Sequence, residues 1–134
     1  MPAYDPQRLH PPGPLATVAL RTQDRRNTLS DVVMLIDSGA DVTLLPGSSV
    51  SALGLEPDEE HGYELMGFDG TKSVAKSVQC DLVFLGRVYR GGYLIVEAAY
   101  GILGRDVLNH VSLVLDGPRL NWHEESPQSL IPNP

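Results

Sequence analysis

Asp37 is the residue of this chain best placed by its neighbours to do chemistry. It follows five apolar residues, Val32-Val33-Met34-Leu35-Ile36, and precedes Ser38-Gly39-Ala40-Asp41. An apolar run of that length, closed by turn formers, is the pattern of a buried strand. The carboxylate therefore leaves the core where Ser38 and Gly39 turn the backbone sharply. Ionising an acid at the edge of a core is costly, so one kept there beside a hydroxyl and a glycine is a candidate for acid–base work. Taken alone, the tripeptide is equally the polar end of any strand.

A second segment changes that balance. Residues 101–108 read Gly-Ile-Leu-Gly-Arg-Asp-Val-Leu, an apolar pair followed by Gly104 and then Arg105-Asp106. The two segments, in this order and inside one small domain, resemble the retropepsin-like aspartic proteases. The first matches that family's Asp-Ser/Thr-Gly-Ala-Asp loop, and the second its hydrophobic-hydrophobic-Gly-Arg-Asp/Asn signature. The likeness spans about residues 15–123.

Carried over residue by residue, the resemblance implies that Asp37 is catalytic and that Ser38 and Gly39 support its loop. Ser38 would bond across a two-fold axis, and Gly39 would offer its carbonyl to substrate. Ala40, Asp41, Leu44 and Ile102 would contact the bound peptide, while Gly67 and Phe68 would close over it from a flap. Arg105 would form an ion pair with Asp41 close to the dimer contact.

Hydrolysis of a peptide by carboxylates needs two of them across one water. One takes the water's proton while the other, protonated, polarises the scissile carbonyl. At about 3 Å apart the two cannot both ionise, so they share a proton. This chain has a single Asp-Ser/Thr-Gly. Asp41 is assigned elsewhere by the resemblance, Asp69 sits at a hairpin tip, and Asp106 falls on a short helix; none follows a buried strand into a glycine turn. The second aspartate is thus expected from another copy of the chain. The expected protein is a homodimeric aspartic endopeptidase acting on extended polypeptide. The alternative is a catalytically silent module of the same fold, used for dimerisation or peptide binding.

Other chemistries fare worse. His10, His61, His110 and His123 are scattered without ligand spacing, so no metal is expected. Cys80 lies in a strand-like run with no basic neighbour to activate it. No glycine-rich phosphate loop occurs, and no cofactor is expected. A formal net charge of −7 and a pI near 4.9 argue against a nucleic-acid partner. No run approaches the roughly eighteen apolar residues of a membrane span, and the opening residues lack a signal-type apolar segment. One cysteine fits a reducing compartment, so a cytoplasmic location is the expectation.

The elements that must position Asp37 follow from punctuation and alternation. At 134 residues the chain is one domain by length. Strands are expected at 15–20, 28–36 and 42–45, then a short helix opened by Pro46 and stopped by Gly54. Residues 56–62 read as a solvated loop and residues 63–77 as a hairpin turning at Asp69-Gly70. Strands at 78–85 and 88–96 flank a turn at Gly86-Arg87, a second short helix covers 105–110, and two last strands cover 112–115 and 119–123. The result is an all-β, closed-barrel-like aspartic protease half-domain with one or two short helices, built to pair about a two-fold axis. Proline-rich residues 1–14 and 124–134 are expected as tails flanking a domain at 15–123.

Overall fold

The computed structural model describes residues 3–66, 70 and 72–125 of the chain. In chain order the elements are β1 (Tyr4–Asp5), β2 (Gly13–Arg21), β3 (Thr28–Ile36), β4 (Leu44–Pro46), α1 (Gly47–Leu53), β5 (Asp58–Met66) and β6 (Lys72–Phe84). They continue with β7 (Arg87–Val96), β8 (Gly101–Leu103), α2 (Arg105–Leu108), β9 (Leu113–Asp116) and β10 (Asn121–Glu124). Strands β2, β3, β8, β4, β7 and β6 follow one another around a six-stranded barrel, and pairing of β2 with β6 closes it. Closure removes two of the sheet's edges, and β5 extends the wall as a hairpin with β6.

The alternation of β3 explains its place. Val32, Met34 and Ile36 point inward and are buried, while Val33 and Leu35 are partly covered on the other face. With Leu20, Leu45, Leu82, Leu103 and Phe84 they form the core. Trp122 completes it from β10: its ring is 2 % exposed, lies 6.0 Å from Phe84, and donates Nε1–H to the Leu15 carbonyl at 2.9 Å. A buried indole with its N–H satisfied fastens the terminal hairpin to the barrel.

Several expectations shift by a residue or more. β6 is one strand of 13 residues rather than two, because it runs from the β5 hairpin through the barrel wall without a break. Residues 58–62, expected as loop, belong to β5, which reaches them through a register irregularity between Asp58 and Tyr63. The turn after β6 is formed by Leu85-Gly86, both at positive φ (52° and 75°), rather than Gly86-Arg87. Two left-handed residues match the twist of a two-residue hairpin. The α1 boundary holds: Gly54 ends it at φ 76° and ψ 21°, the left-handed cap expected of a glycine there.

Residues 3–14, expected as a loose tail, are fastened to the barrel. β1 pairs with the start of β2, Ala3 bridges to Asn121, and Tyr4 N–H donates to the Leu120 carbonyl at 2.9 Å. Asp5 Oδ1 accepts from the N–H groups of Gln7 and Arg8, which turns the chain back.

At the β2–β6 seam lies a carboxylate that the sequence reading passed over. Asp81 is fully buried. Arg90 grips both of its oxygens, Nε to Oδ1 at 2.9 Å and Nη2 to Oδ2 at 3.3 Å, and Arg21 Nη2 reaches Oδ2 at 3.1 Å. The hydrogen bonds from Arg90 above all, joined by those from Arg21, hold its carboxyl below the ordinary 3.8 despite burial. The signal was a lone Asp within an apolar strand; register places Arg21 and Arg90 opposite it.

Candidate active site

Asp37 leaves β3 beside β8, and its N–H donates to the Leu103 carbonyl at 3.1 Å. The parallel pairing of β3 with β8 thus aims the loop. The turn then closes on itself. Gly39 N–H donates to Asp37 Oδ1 at 2.9 Å, and Ala40 N–H donates to the Asp37 carbonyl at 3.1 Å. Oδ2 receives no hydrogen bond from the described residues. Asp37 is half-buried, while Ser38, Gly39 and Asp41 are exposed. Ser38 likewise keeps its hydroxyl free of partners among the described residues.

The second motif holds this loop from beneath. Arg105 N–H donates to the Ala40 carbonyl at 2.9 Å, and Arg105 Nη1 donates to the Ser38 carbonyl at 2.8 Å. Asp106 grips Thr43 with both oxygens: Thr43 Oγ1–H donates to Oδ1 at 2.6 Å and Thr43 N–H to Oδ2 at 3.0 Å. The same hydroxyl accepts from Gly104 N–H at 3.0 Å. The fully buried Thr43 therefore ties both motifs into one network, and every polar atom it exposes to the core has a partner. Gly104 is required by the crossing itself, because a Cβ there would lie 2.5 Å from the Val42 carbonyl oxygen. Val107, 1 % exposed, anchors α2 in the core below the loop.

The residues named from the sequence fall into three groups. Asp37, Ser38, Gly39, Ala40 and Asp41 form one continuous loop, and Leu44 and Ile102 pair across β4 and β8 at its side, both half-buried. Gly67 and Phe68 lie outside the described residues. Of their hairpin the turn glycine Gly70 is described, at φ 83°. Arg105 departs from expectation. Among the described residues no ion pair joins it to Asp41; both side chains are exposed, and the Arg105 guanidinium donates instead to the Ser38 carbonyl. Thr43 and Asp106 were missed as loop supports. A buried threonine between Val42 and Leu44 was the available signal, and only the fold shows which carboxylate it meets.

Two depressions flank the loop. One of about 120 Å³ is lined by Val42, Ser77, Gly92 and Leu94. The other, about 170 Å³, is lined by Ile36, Ser38, Leu108, Val111, Leu113 and Leu115. Among the described residues no three His, Cys, Asp or Glu side chains gather as a metal site, and no helix is long and apolar enough to cross a membrane.

A six-stranded barrel carrying a tight Asp-Ser-Gly loop, laced to a Gly-Arg-Asp turn, is the half-domain of a retropepsin-like aspartic protease. Residues 23–107 match the family described as Aspartyl protease, and the chain belongs to that family. Among solved structures it resembles EIAV protease complexed with the inhibitor HBY-793 at a TM-score of 0.55. The two are 22 % identical, over 73 % of this chain and 86 % of that one, a likeness of fold. No curated protein sequence matches it.

Proposed function

We propose that the protein is an aspartic endopeptidase working as a homodimer, with Asp37 from each chain forming the pair that activates water. The observation that carries this reading is the contrast within one side chain. Asp37 Oδ1 is fixed by Gly39 N–H, while Oδ2 receives no hydrogen bond from the described residues, at the half-buried start of a well-supported loop. A carboxylate held in place with one oxygen open is suited to share a proton with a twin and to bind a water.

In the proposed reaction the ionised carboxylate removes a proton from the water, whose oxygen attacks the scissile carbonyl carbon. The protonated carboxyl donates to the carbonyl oxygen as its π bond opens, giving a gem-diol. On collapse the carboxyl that took the water's proton gives it to the departing nitrogen as the C–N bond breaks, while the other carboxylate takes a proton from a gem-diol hydroxyl as the carbonyl re-forms, leaving the pair singly protonated. Lacing by Arg105, Asp106 and Thr43 keeps the loop from shifting as charge moves, the kind of support that positioned groups need. Extended peptide would lie along the Gly39 and Ala40 backbone, with Leu44 and Ile102 favouring apolar side chains and Gly67 and Phe68 closing from above.

Digestion of an unfolded protein across pH tests this, with and without a peptide whose central hydroxyl mimics the gem-diol. Cleavage that the mimic blocks is the expected result. Absence of cleavage by a verified dimer would overturn it in favour of the silent binding module.

A further inference from the structure

A pocket whose lining includes none of the Asp37 loop plays no part in the proposed reaction. It is a cavity of about 310 Å³ beyond the C-terminal end of α2, at the lower end of the range typical of ligand sites. Its walls come from the start of β7, the segment after α2 and the end of β10, through Arg87, Asn109, His110, Ser112, Glu124 and Glu125. We propose that this pocket binds a guanidinium or primary ammonium group, carried by a small amine or by a basic side chain of a polypeptide.

The charge balance of the pocket selects a cation. Arg87 is already committed: its Nη1 donates to Glu124 Oε2 at 2.6 Å, and Glu124 above all holds the guanidinium protonated more firmly than usual. Glu125 has only a neutral partner, the Ser112 hydroxyl, which donates to Oε2 at 3.1 Å. Of two half-buried carboxylates, one is therefore left without a counter-charge. His110, on the exposed rim, makes no ion pair among the described residues. A carboxylate drawn part of the way out of water is best compensated by a positive charge that also donates hydrogen bonds. Oε1 of each glutamate accepts no hydrogen bond among the described residues.

Two further polar atoms border the same place and point independently to a hydrogen-bonding ligand. Tyr89, whose ring lies 5.9 Å from that of His110, has its hydroxyl buried without a hydrogen bond among the described residues. The β9–β10 ladder continues to Glu125, whose N–H donates to the Ser112 carbonyl at 2.8 Å. The two-residue period therefore puts His123 on the same face as Glu125, and its Nδ1 is likewise buried and unpaired. Buried polar atoms normally have partners. Both of these can accept a hydrogen bond, as can the glutamate oxygens, so the fitting ligand has several N–H donors. A guanidinium has five and a primary ammonium three. An anion would face Glu124 and Glu125, and an apolar ligand would leave every one of these acceptors unsatisfied.

The test titrates the wild-type protein with methylguanidinium at physiological salt, followed by calorimetry and amide chemical shifts. Tetramethylammonium, a cation without a donor, is the control. Saturable binding of methylguanidinium alone is expected. Glu125→Gln keeps the shape and removes the charge, and should weaken binding about tenfold or more, the worth of a charge-assisted hydrogen bond. Glu97→Gln, at an exposed position just after β7, should bind as wild type does. No saturable binding, equal responses to the two cations, or equal binding by Glu125→Gln and wild type would overturn the proposal. Two peptide substrates that differ by arginine or alanine well outside the scissile segment then separate the sources. If a polypeptide supplies the cation, the arginine peptide has the lower KM in wild type and an equal KM in Glu125→Gln, with kcat unchanged. Equal KM values in wild type, beside saturable methylguanidinium binding, assign the pocket to a small amine. The titration needs no turnover, so an inactive protein would sink the peptidase reading and leave the pocket standing.

Discussion

Two aspartates of the same barrel, one inside a strand and one at a strand's end, are treated in opposite ways. Asp81, at the β2–β6 seam, is fully buried and has both oxygens taken by Arg90 and Arg21. Asp37, at the end of β3, is half-buried, with one oxygen bonded to its own turn and the other without a hydrogen bond among the described residues. A saturated carboxylate can only hold structure, since moving a proton onto it would break charge-assisted bonds. An unsaturated one costs the fold little and remains free to exchange protons. The networks around them differ accordingly: the arginines at the seam neutralise Asp81 directly, whereas Arg105 and Asp106 hold the backbone around Asp37 and leave its carboxylate alone.

The widest way to break that contrast is to replace both acids by amides. Asp37→Asn should lower peptide turnover by roughly 10²- to 10⁴-fold, the usual worth of acid–base catalysis, with melting and dimerisation unchanged. Asp81→Asn should do the reverse. It leaves two guanidinium groups facing an amide, at a cost towards the lower end of about 3–5 kcal/mol because Arg90 is half exposed, and the surviving folded protein should turn over normally. Parallel assays and denaturant titrations check both; an inactive but fully stable Asp81→Asn would erase the distinction.

A smaller effect is expected at the loop's support. Thr43→Val keeps the shape but removes the hydroxyl that serves Asp106 and Gly104, leaving Gly104 N–H unpaired in the core. The expected cost is about 1–3 kcal/mol. Turnover should also fall through kcat rather than KM, since the loop loses position rather than substrate contacts. Stability loss without any kinetic change would show that Thr43 acts on the fold alone.

The smallest effect is a pH dependence. The folded Asp81 carboxyl lies below its ordinary 3.8, chiefly through Arg90, so its contribution is present above the unfolded value and is lost as pH falls through the folded one. Wild type should therefore lose stability as the medium is acidified below about pH 4. Asp5 and Asp24 are lowered in the same direction, so the shallower acid-side slope of Asp81→Asn relative to wild type isolates the seam. Identical slopes would mean that the arginines release Asp81 in the unfolding that is being measured at no electrostatic cost.

Much of this was legible beforehand because it is local. The β3 alternation, the Asp37-Ser38-Gly39 turn and the Pro46-to-Gly54 helix depend on residues within a few positions of one another, where period and turn chemistry suffice. The pairing of the two motifs was legible only as a resemblance. Which atoms meet was decided by the fold. Arg105 reaches the Ser38 carbonyl, 67 positions away, rather than Asp41, and Thr43 meets Asp106 across 63 positions. Asp81 finds Arg21 across 60, and Ala3 and Tyr4 lie against Asn121 and Leu120. A sequence shows that a buried polar group must have a partner; barrel closure, which brings distant strands into one register, determines which partner it has.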